Sequence, residues 1–138
     1  MPDPVAALIE RVRAWASSQP YVHALALVGS WARGAAREDS DVDLVIVAEA
    51  TPPLLADLRW TNHFGSVLRT QVEDWGMVQS VRVWYANGPE VEFGVAPKEW
   101  AFLPLDAGTE RVLRDGAIIL HDPMGSLGAA CEAIARTA

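Results

Sequence analysis

The segment LVGSWARGAAREDSDVDLVIV, residues 27–47, joins two apolar runs through a short polar connection. The runs cover residues 24–28 and 42–47 and are apolar on both faces, a pattern typical of central strands that are covered on each side. The connection predicts a short helical insert over residues 30–36. Two aspartates one residue apart, Asp41 and Asp43, stand at the start of the second run, and their position needs a chemical explanation.

Regular elements are predicted on both sides of this segment. Toward the N-terminus, Asp3 and Pro4 can open a helix whose apolar side chains share one face, and Pro20 ends it. After the second strand, Thr51 and the two prolines that follow it can open another helix, which Gly65 ends. The N-terminal half therefore alternates helices and strands.

The middle of the chain has the residue alternation typical of strands, over residues 66–76 and 77–96. Asn87 and Gly88 interrupt the second of these ranges with a strong β-hairpin signal. The hairpin places one apolar set opposite another: Val81, Val83 and Tyr85 facing Val91, Phe93 and Val95.

The C-terminal part predicts a loop over residues 100–108, a short helix over 109–114, a strand over 117–122 and a last helix from Ser126 onward. Together, these elements predict a mixed β-sheet with helices packed on it, an α/β or α+β fold. At 138 residues the chain has the length of one domain, expected to span residues 1–138.

Composition narrows the possible partners. The formal charge of −7, from 18 acidic and 11 basic side chains, disfavours a surface that follows a long nucleic acid. Cys131 is the single cysteine, which excludes an intrachain disulfide and favours a reducing compartment. No apolar stretch approaches the ~20 residues that cross a bilayer. We therefore expect a soluble cytoplasmic protein.

The quoted segment also carries a chemical pattern. Gly29 and Ser30 follow a strand and open a helix, so backbone N–H groups and the positive end of the helix dipole can face an anion. Asp41 and Asp43 leave an extended segment on the same face, where two carboxylates are costly unless a cation separates them. Hard oxygen ligands of this kind suit Mg²⁺ or Mn²⁺. The alternative is a structural turn between a helix and a strand.

The same segment resembles the signature G-S-x-x-R-G…S-D-x-D-L of the nucleotidyltransferase superfamily related to DNA polymerase β. The likeness is greatest to minimal nucleotidyltransferases and to the catalytic domains of antibiotic nucleotidyltransferases. This resemblance implies that Gly29 and Ser30 hold a triphosphate and that Asp41 and Asp43 bind divalent metal ions. It also implies a third carboxylate, most often an aspartate, on a later strand.

Two glutamates are candidates for the third carboxylate. Glu90 and Glu92 face the same way along one strand, so residue alternation alone does not separate them. Glu92 is preferred as catalytic and metal-binding residue because apolar residues flank it, as in the family, whereas Glu90 adjoins the Asn87-Gly88 turn. The alternative for Glu92 is a solvated charge on an edge strand.

Further polar residues have weaker assignments. Arg33 and Ser40 match the arginine and serine of the family signature and are candidate nucleotide-binding residues, although a surface arginine and a turn serine are the alternatives. Trp31 can reach a nucleobase or serve in packing. The three histidines, His23, His63 and His121, lack zinc-ligand spacing.

Two functions follow from the resemblance. The first is Mg²⁺-dependent transfer of a nucleoside monophosphate, with ATP as the expected donor, to a hydroxyl of a small-molecule or protein acceptor. The second is a nucleotide-binding, antitoxin-like module that has lost turnover, since Glu92 departs from the usual aspartate. The expected partners are a nucleoside triphosphate, the acceptor, and either a second copy of the chain or a helical HEPN-type protein.

Overall fold

A six-stranded mixed β-sheet organises the molecule, as the predicted α/β or α+β fold class requires. The computed structural model describes residues 3–137. Within these residues, the second and fifth strands pair parallel to each other, and the other neighbouring strands pair antiparallel. The strands are β1 (Val22–Val28), β2 (Val42–Ala48), β3 (Val67–Trp75), β4 (Val78–Tyr85), β5 (Glu90–Pro97) and β6 (Ala117–His121), in the order β3-β4-β5-β2-β1-β6.

Helices cover both faces of this sheet. One face packs against the first helix and a 3₁₀ segment, and the other against the last two helices. No helix within residues 3–137 is long and apolar enough to cross a membrane. The helices are α1 (Asp3–Ser18), α2 (Gly29–Arg33), α3 (Pro52–Ala56), α4 (Ala107–Asp115) and α5 (Ser126–Thr137), with 3₁₀ segments at Leu58–Phe64 and Lys98–Ala101.

Residue alternation along the central strands builds two hydrophobic cores. On β1, Leu25 and Leu27 belong to the core beneath α1, whereas Ala24 and Ala26 belong to the core beneath α4 and α5. In the first core, Trp15 stacks on Trp60 with ring centroids 5.4 Å apart. The prediction that β1 and β2 are central strands covered on both faces is therefore confirmed.

The predicted hairpin is also found. Strands β4 and β5 pair antiparallel, with Val81 opposite Phe93 and Val83 opposite Val91. All four of these side chains are buried. The turn signal at Asn87-Gly88 thus fixes a register that puts Arg82 directly opposite Glu92 on the other face.

The prediction of one continuous helix from Thr51 to Gly65 was wrong. Helix α3 ends at Ala56, and a 3₁₀ segment begins at Leu58. Asp57 between them is extended, and its side chain accepts a hydrogen bond from the backbone N–H of Arg59. An aspartate that caps the next turn interrupts the helix at this point.

Other boundaries also differ. Helix α2 stops at Arg33, short of the predicted residue 36, because Gly34 takes a left-handed conformation with φ 72°. Helix α4 is longer than predicted, since Asp106 caps it by accepting from the N–H of Gly108.

Candidate active site

Three carboxylates converge at one end of the parallel strand pair. Asp43 on β2 lies beside Glu92 on β5 in the sheet register, and Asp41 immediately precedes β2. One carboxylate oxygen from each residue lies within 4.8 Å of the other two. All three residues are half-buried. Three hard oxygen donors at this separation fit a divalent cation such as Mg²⁺ or Mn²⁺.

Asp43 has the least favourable surroundings for a negative charge. Burial, followed by the charges of Asp41 and Glu92, raises the pKa of Asp43 to about 7. The positive charges of Arg82 and Arg33 oppose this shift without cancelling it. The two arginines therefore do not balance the negative charge around Asp43, a property expected of a cation site.

Arg82 on β4 is the residue that sequence reasoning missed. Its guanidinium donates to Glu92 at 2.7 Å and to Asp41 at 3.3 Å, and it also contacts Glu90. A further bond, at 3.1 Å, goes to Glu73 on β3. The signal that could have found Arg82 was the hairpin register, because the residue between Val81 and Val83 must face the glutamates of β5.

The register also separates the two candidate glutamates. Glu92 lies opposite Arg82 and beside Asp43, whereas Glu90 lies opposite Trp84, near the hairpin turn. Within the residues that the structure describes, the acidic group with metal-binding spacing contains Glu92 and omits Glu90. Glu90 instead accepts a hydrogen bond from Nη1 of Arg82.

Gly29 lies directly against the acidic cluster. Its φ is +74°, and a Cβ atom placed on it would lie 2.2 Å from Oδ2 of Asp43. Glycine is therefore required both by the backbone conformation and by the close approach of Asp43. Val28 at the N-cap of α2 supplies no side-chain hydrogen bond to the helix. The first-turn amides of α2 thus start beside the carboxylates without a side-chain cap.

Arg33 and Ser40 occupy different surroundings. Arg33 ends α2 close enough to the cluster for its charge to lower the pKa of Asp43. The hydroxyl of Ser40 accepts from the N–H of Arg37 at 2.8 Å, and its carbonyl accepts from the indole N–H of Trp31 at 3.2 Å. Ser40 and Trp31 therefore shape the loop that leads to Asp41, and a nucleotide-binding role for Ser40 stays a prediction.

Comparison with known proteins identifies the class of protein that carries this fold and this cluster. The sequence matches the family described as nucleotidyltransferase domain over residues 9–83, more than half of the chain. The chain therefore belongs to the nucleotidyltransferase domain family, a class of enzymes, as its resemblance to that superfamily implied. The match includes α2, Asp41 and Asp43 and ends before Glu92.

Solved structures of similar fold belong to larger proteins. An aminoglycoside 6-adenyltransferase from Bacillus subtilis is 14% identical, with a TM-score of 0.56 over 68% of this chain and 35% of that chain. Terminal uridylyl transferase 4 from Trypanosoma brucei, with bound UPU, is 15% identical, with a TM-score of 0.44 over 79% of this chain and 37% of that chain. A CCA-adding enzyme in complex with CTP is 16% identical, with a TM-score of 0.44 over 95% of this chain and 35% of that chain.

This chain spans little more than a third of the length of each of these three structures. Their low sequence identity makes the likeness one of fold alone. No curated protein sequence matches at a significant level.

Proposed function

We propose that this chain transfers a nucleoside monophosphate, AMP from ATP, to a hydroxyl of a small-molecule or protein acceptor. The acceptor oxygen bonds to the α-phosphorus, the bond from that phosphorus to the bridging oxygen breaks, and pyrophosphate leaves with the electron pair. The observation that carries the proposal is the convergence of Asp41, Asp43 and Glu92 within 4.8 Å, in a nucleotidyltransferase domain.

We assign the binding of divalent metal, Mg²⁺ or Mn²⁺, to these three carboxylates. When bound, such an ion neutralises charge on the triphosphate and aligns it for in-line displacement. The raised pKa of Asp43 supports this assignment, because a neighbouring cation would remove the cost of its ionisation. Gly29 and Ser30 are proposed to hold the triphosphate with first-turn amides of α2, helped by the charge of Arg33 and by Ser40.

Glu92 is proposed to take the proton from the acceptor hydroxyl as well as to bind metal. Its carboxylate accepts a 2.7 Å hydrogen bond from Arg82 on one side, and Asp43 lies beside it on the other side in the sheet. Arg82 also donates hydrogen bonds to Glu73 and Glu90. These two carboxylates would therefore still balance the charge of Arg82 when Glu92 binds a metal ion. Glu90 is proposed to act only through Arg82.

One observation favours the second candidate, a nucleotide-binding module without turnover. Arg82 pairs with both Asp41 and Glu92, so two of the three carboxylates already have a cationic partner. A module of this kind would bind a nucleotide triphosphate through α2 while releasing no pyrophosphate. Turnover therefore separates the two candidates.

The test uses the full chain with three substitutions. Calorimetry with Mg²⁺ and ATP is expected to show binding by the parent chain, and Asp43→Asn is expected to abolish it while keeping the fold. Glu92→Gln should leave nucleotide binding largely intact and suppress pyrophosphate release in a screen of hydroxyl acceptors. Glu90→Gln is the matched control on the same strand and should change little.

Three results would contradict these assignments. Unchanged Mg²⁺-ATP affinity in Asp43→Asn would remove Asp43 from the metal site. Greater loss of turnover in Glu90→Gln than in Glu92→Gln would reverse the choice between the glutamates. Nucleotide binding by the parent chain without pyrophosphate release for any acceptor would favour the binding module.

A further inference from the structure

A cavity of about 430 Å³ opens directly beside the acidic cluster, on the face of the sheet that carries α4. Asp43 and Glu92 form part of its lining, together with Ser80 and Gly94 farther along the same face. The size lies within the range typical of small-molecule sites. Asp43 and Glu92 therefore border a partly open cavity that is large enough for a small molecule.

The remaining lining is largely apolar and contains two tryptophans. Trp75 ends β3 and Met77 follows it in the β3–β4 turn, and their side chains are 62% and 44% exposed. Trp100 lies in the core beneath α4. Exposed large apolar side chains beside a catalytic cluster are unusual on a free surface and typical of a ligand site. The cavity therefore suits an apolar ring.

Gly94 keeps the cavity open on the sheet side. A Cβ atom at this position would lie 3.1 Å from Cγ1 of Val78 and 3.7 Å from Cγ2 of Val45. Both valines line the cavity, so any side chain at residue 94 would enter the space between them. The strand thus carries a glycine where an ordinary β residue would fill the site.

One polar group in the lining lacks a partner. Among the side chains of the described residues, the hydroxyl oxygen of Thr109 is the buried polar atom without a hydrogen bond. Thr109 belongs to the first turns of α4 and lines the cavity. A buried hydroxyl left unpaired costs stability, and a polar group on a ligand would supply the missing partner.

Charge restricts the ligand further. The lining contains the carboxylates of Asp43, Glu92 and Asp106 against one cation, Arg111. In the absence of a metal ion, this excess of carboxylates disfavours an anion and favours a neutral or positively charged molecule. The groups assigned to the triphosphate, Gly29 and Ser30, are not in the lining, whereas the proposed base Glu92 is.

We propose that this cavity holds the acceptor, and that the acceptor is a compact molecule with an apolar ring, a hydroxyl group and no negative charge, such as an aromatic amino alcohol or an amino phenol. This inference rests on the proposed nucleotidyl transfer and names its substrate class. The ring lies between Trp75, Met77 and Trp100, and the hydroxyl points to Glu92. A polyhydroxylated amine without an apolar ring does not fit such a lining.

The experiment measures binding alone, so that it is independent of turnover. Amide signals of the ¹⁵N-labelled full chain, without added divalent metal ion, are followed while tyramine, 4-hydroxyphenylacetate or glucosamine is added. Tyramine should bind saturably and shift the signals of Ser80, Gly94 and Val112. 4-Hydroxyphenylacetate keeps the ring and hydroxyl but carries a carboxylate, and should bind about tenfold more weakly. Glucosamine should cause no shifts there.

Three variants make the location testable. Trp75→Ala should weaken tyramine binding about fivefold, because the ring loses an apolar wall. Phe102→Ala is the matched control, since Phe102 is a 52% exposed aromatic side chain outside the cavity lining and outside both edge strands. Thr109→Val should keep the fold and weaken tyramine binding. If the hydroxyl of Thr109 does not contact the ligand, the substitution would leave tyramine binding unchanged.

Several outcomes overturn the proposal. These are no saturable tyramine binding, equal affinity for the carboxylate analogue, equal loss of tyramine affinity in Phe102→Ala and Trp75→Ala, or tyramine affinity unchanged by Thr109→Val. Displacement of tyramine by Mg²⁺-ATP, with weaker ATP binding in Trp75→Ala, would make the cavity a nucleobase site instead. Failure of the proposed transfer itself would be distinguishable, because Mg²⁺-ATP binding and pyrophosphate release are measured on the same samples.

Discussion

Asp43 is held in the metal-free chain at an energetic cost. Burial and two neighbouring carboxylates raise the pKa of its side chain to about 7, well above the ordinary value of 3.8. Between about pH 4 and pH 7, the folded chain therefore retains a proton on Asp43 that the unfolded chain has already released. Stability is expected to fall as pH rises through this window, with the full penalty present above pH 7.

We predict that Asp43→Asn stabilises the metal-free chain at pH 8 by about 1–2 kcal/mol, a value reduced from the full pKa shift because Asp43 is only partly buried. The gain should vanish below about pH 3, where the parent Asp43 is protonated in both the folded and the unfolded chain. Denaturant unfolding with a chelator present measures it.

Asp57→Asn is the matched control, since Arg59 lowers the pKa of the Asp57 side chain and the substitution should give no stabilisation at pH 8. A pH-independent difference between Asp43→Asn and the parent chain would contradict the assigned environment of Asp43.

Arg82 is the internal counter-charge of the cluster. It bridges Asp41 and Glu92 to the flanking glutamates, and its side chain is only 21% exposed. Removing one partner of a largely buried charge network leaves the others uncompensated.

We therefore predict that Arg82→Met lowers the free energy of unfolding of the metal-free chain by about 2–3 kcal/mol. Because Mg²⁺ would then supply the missing charge, millimolar Mg²⁺ should stabilise the variant more than the parent chain. Thermal unfolding with and without Mg²⁺ measures both effects. Arg59→Met, at a side chain that is 87% exposed, should show neither effect. Equal Mg²⁺ stabilisation of the parent chain and Arg82→Met would count against the counter-charge role.

At the scale of the element, helix α2 is defined by a glycine at each end. Gly29 and Gly34 both have positive φ, 74° and 72°. They differ in their surroundings, because a Cβ atom at Gly29 would meet Asp43, whereas nothing lies within 4 Å of the same position at Gly34. The two positions thus separate backbone strain from contact with the cluster.

We predict that Gly34→Ala costs about 1–2 kcal/mol of stability from backbone strain alone. Gly29→Ala should cost a further ~1–3 kcal/mol and should also abolish Mg²⁺-nucleotide binding, because Asp43 must move. Unfolding measurements and calorimetry on both variants test this. Equal costs and equal binding would mean that Asp43 adapts to the methyl group.

At the scale of the whole molecule, both edges of the sheet expose apolar side chains. Leu68 and Val72 are 69% and 48% exposed on β3, and Ile118 and Ile119 are 45% and 38% exposed on β6. Unpaired edges with apolar side chains are surfaces on which another chain can pair. This arrangement favours the predicted assembly with a second copy or with a separate helical partner.

We predict a homodimer at micromolar concentration, with the acceptor site near the subunit boundary beside Glu92. Light scattering should give twice the chain mass of 15.0 kDa. Leu68→Lys and Ile118→Lys distinguish the edges, since the substitution at the interface should return the monomer. A 15.0 kDa monomer that carries out nucleotidyl transfer to a small acceptor would show that one chain forms the whole site.

The sequence by itself determined the features that depend on near neighbours along the chain. The two buried runs around residues 29–41, the hairpin at Asn87-Gly88 and the spacing of Asp41 and Asp43 all follow from local alternation and turn chemistry. These features predicted the mixed sheet, and the resemblance of residues 29–47 to a known signature implied the nucleotidyltransferase family. The predicted helix over residues 51–65 was wrong, because the extended backbone and capping side chain of Asp57 interrupt it locally.

Only the tertiary structure decided which groups meet. The parallel pairing of β2 with β5 brings Glu92, rather than Glu90, next to Asp43. The approach of Asp43 to Gly29 and the place of Arg82 among four carboxylates likewise depend on contacts between distant segments. Alternation tells which face of a strand a side chain occupies, whereas strand order, which no local pattern encodes, determines its neighbours on that face.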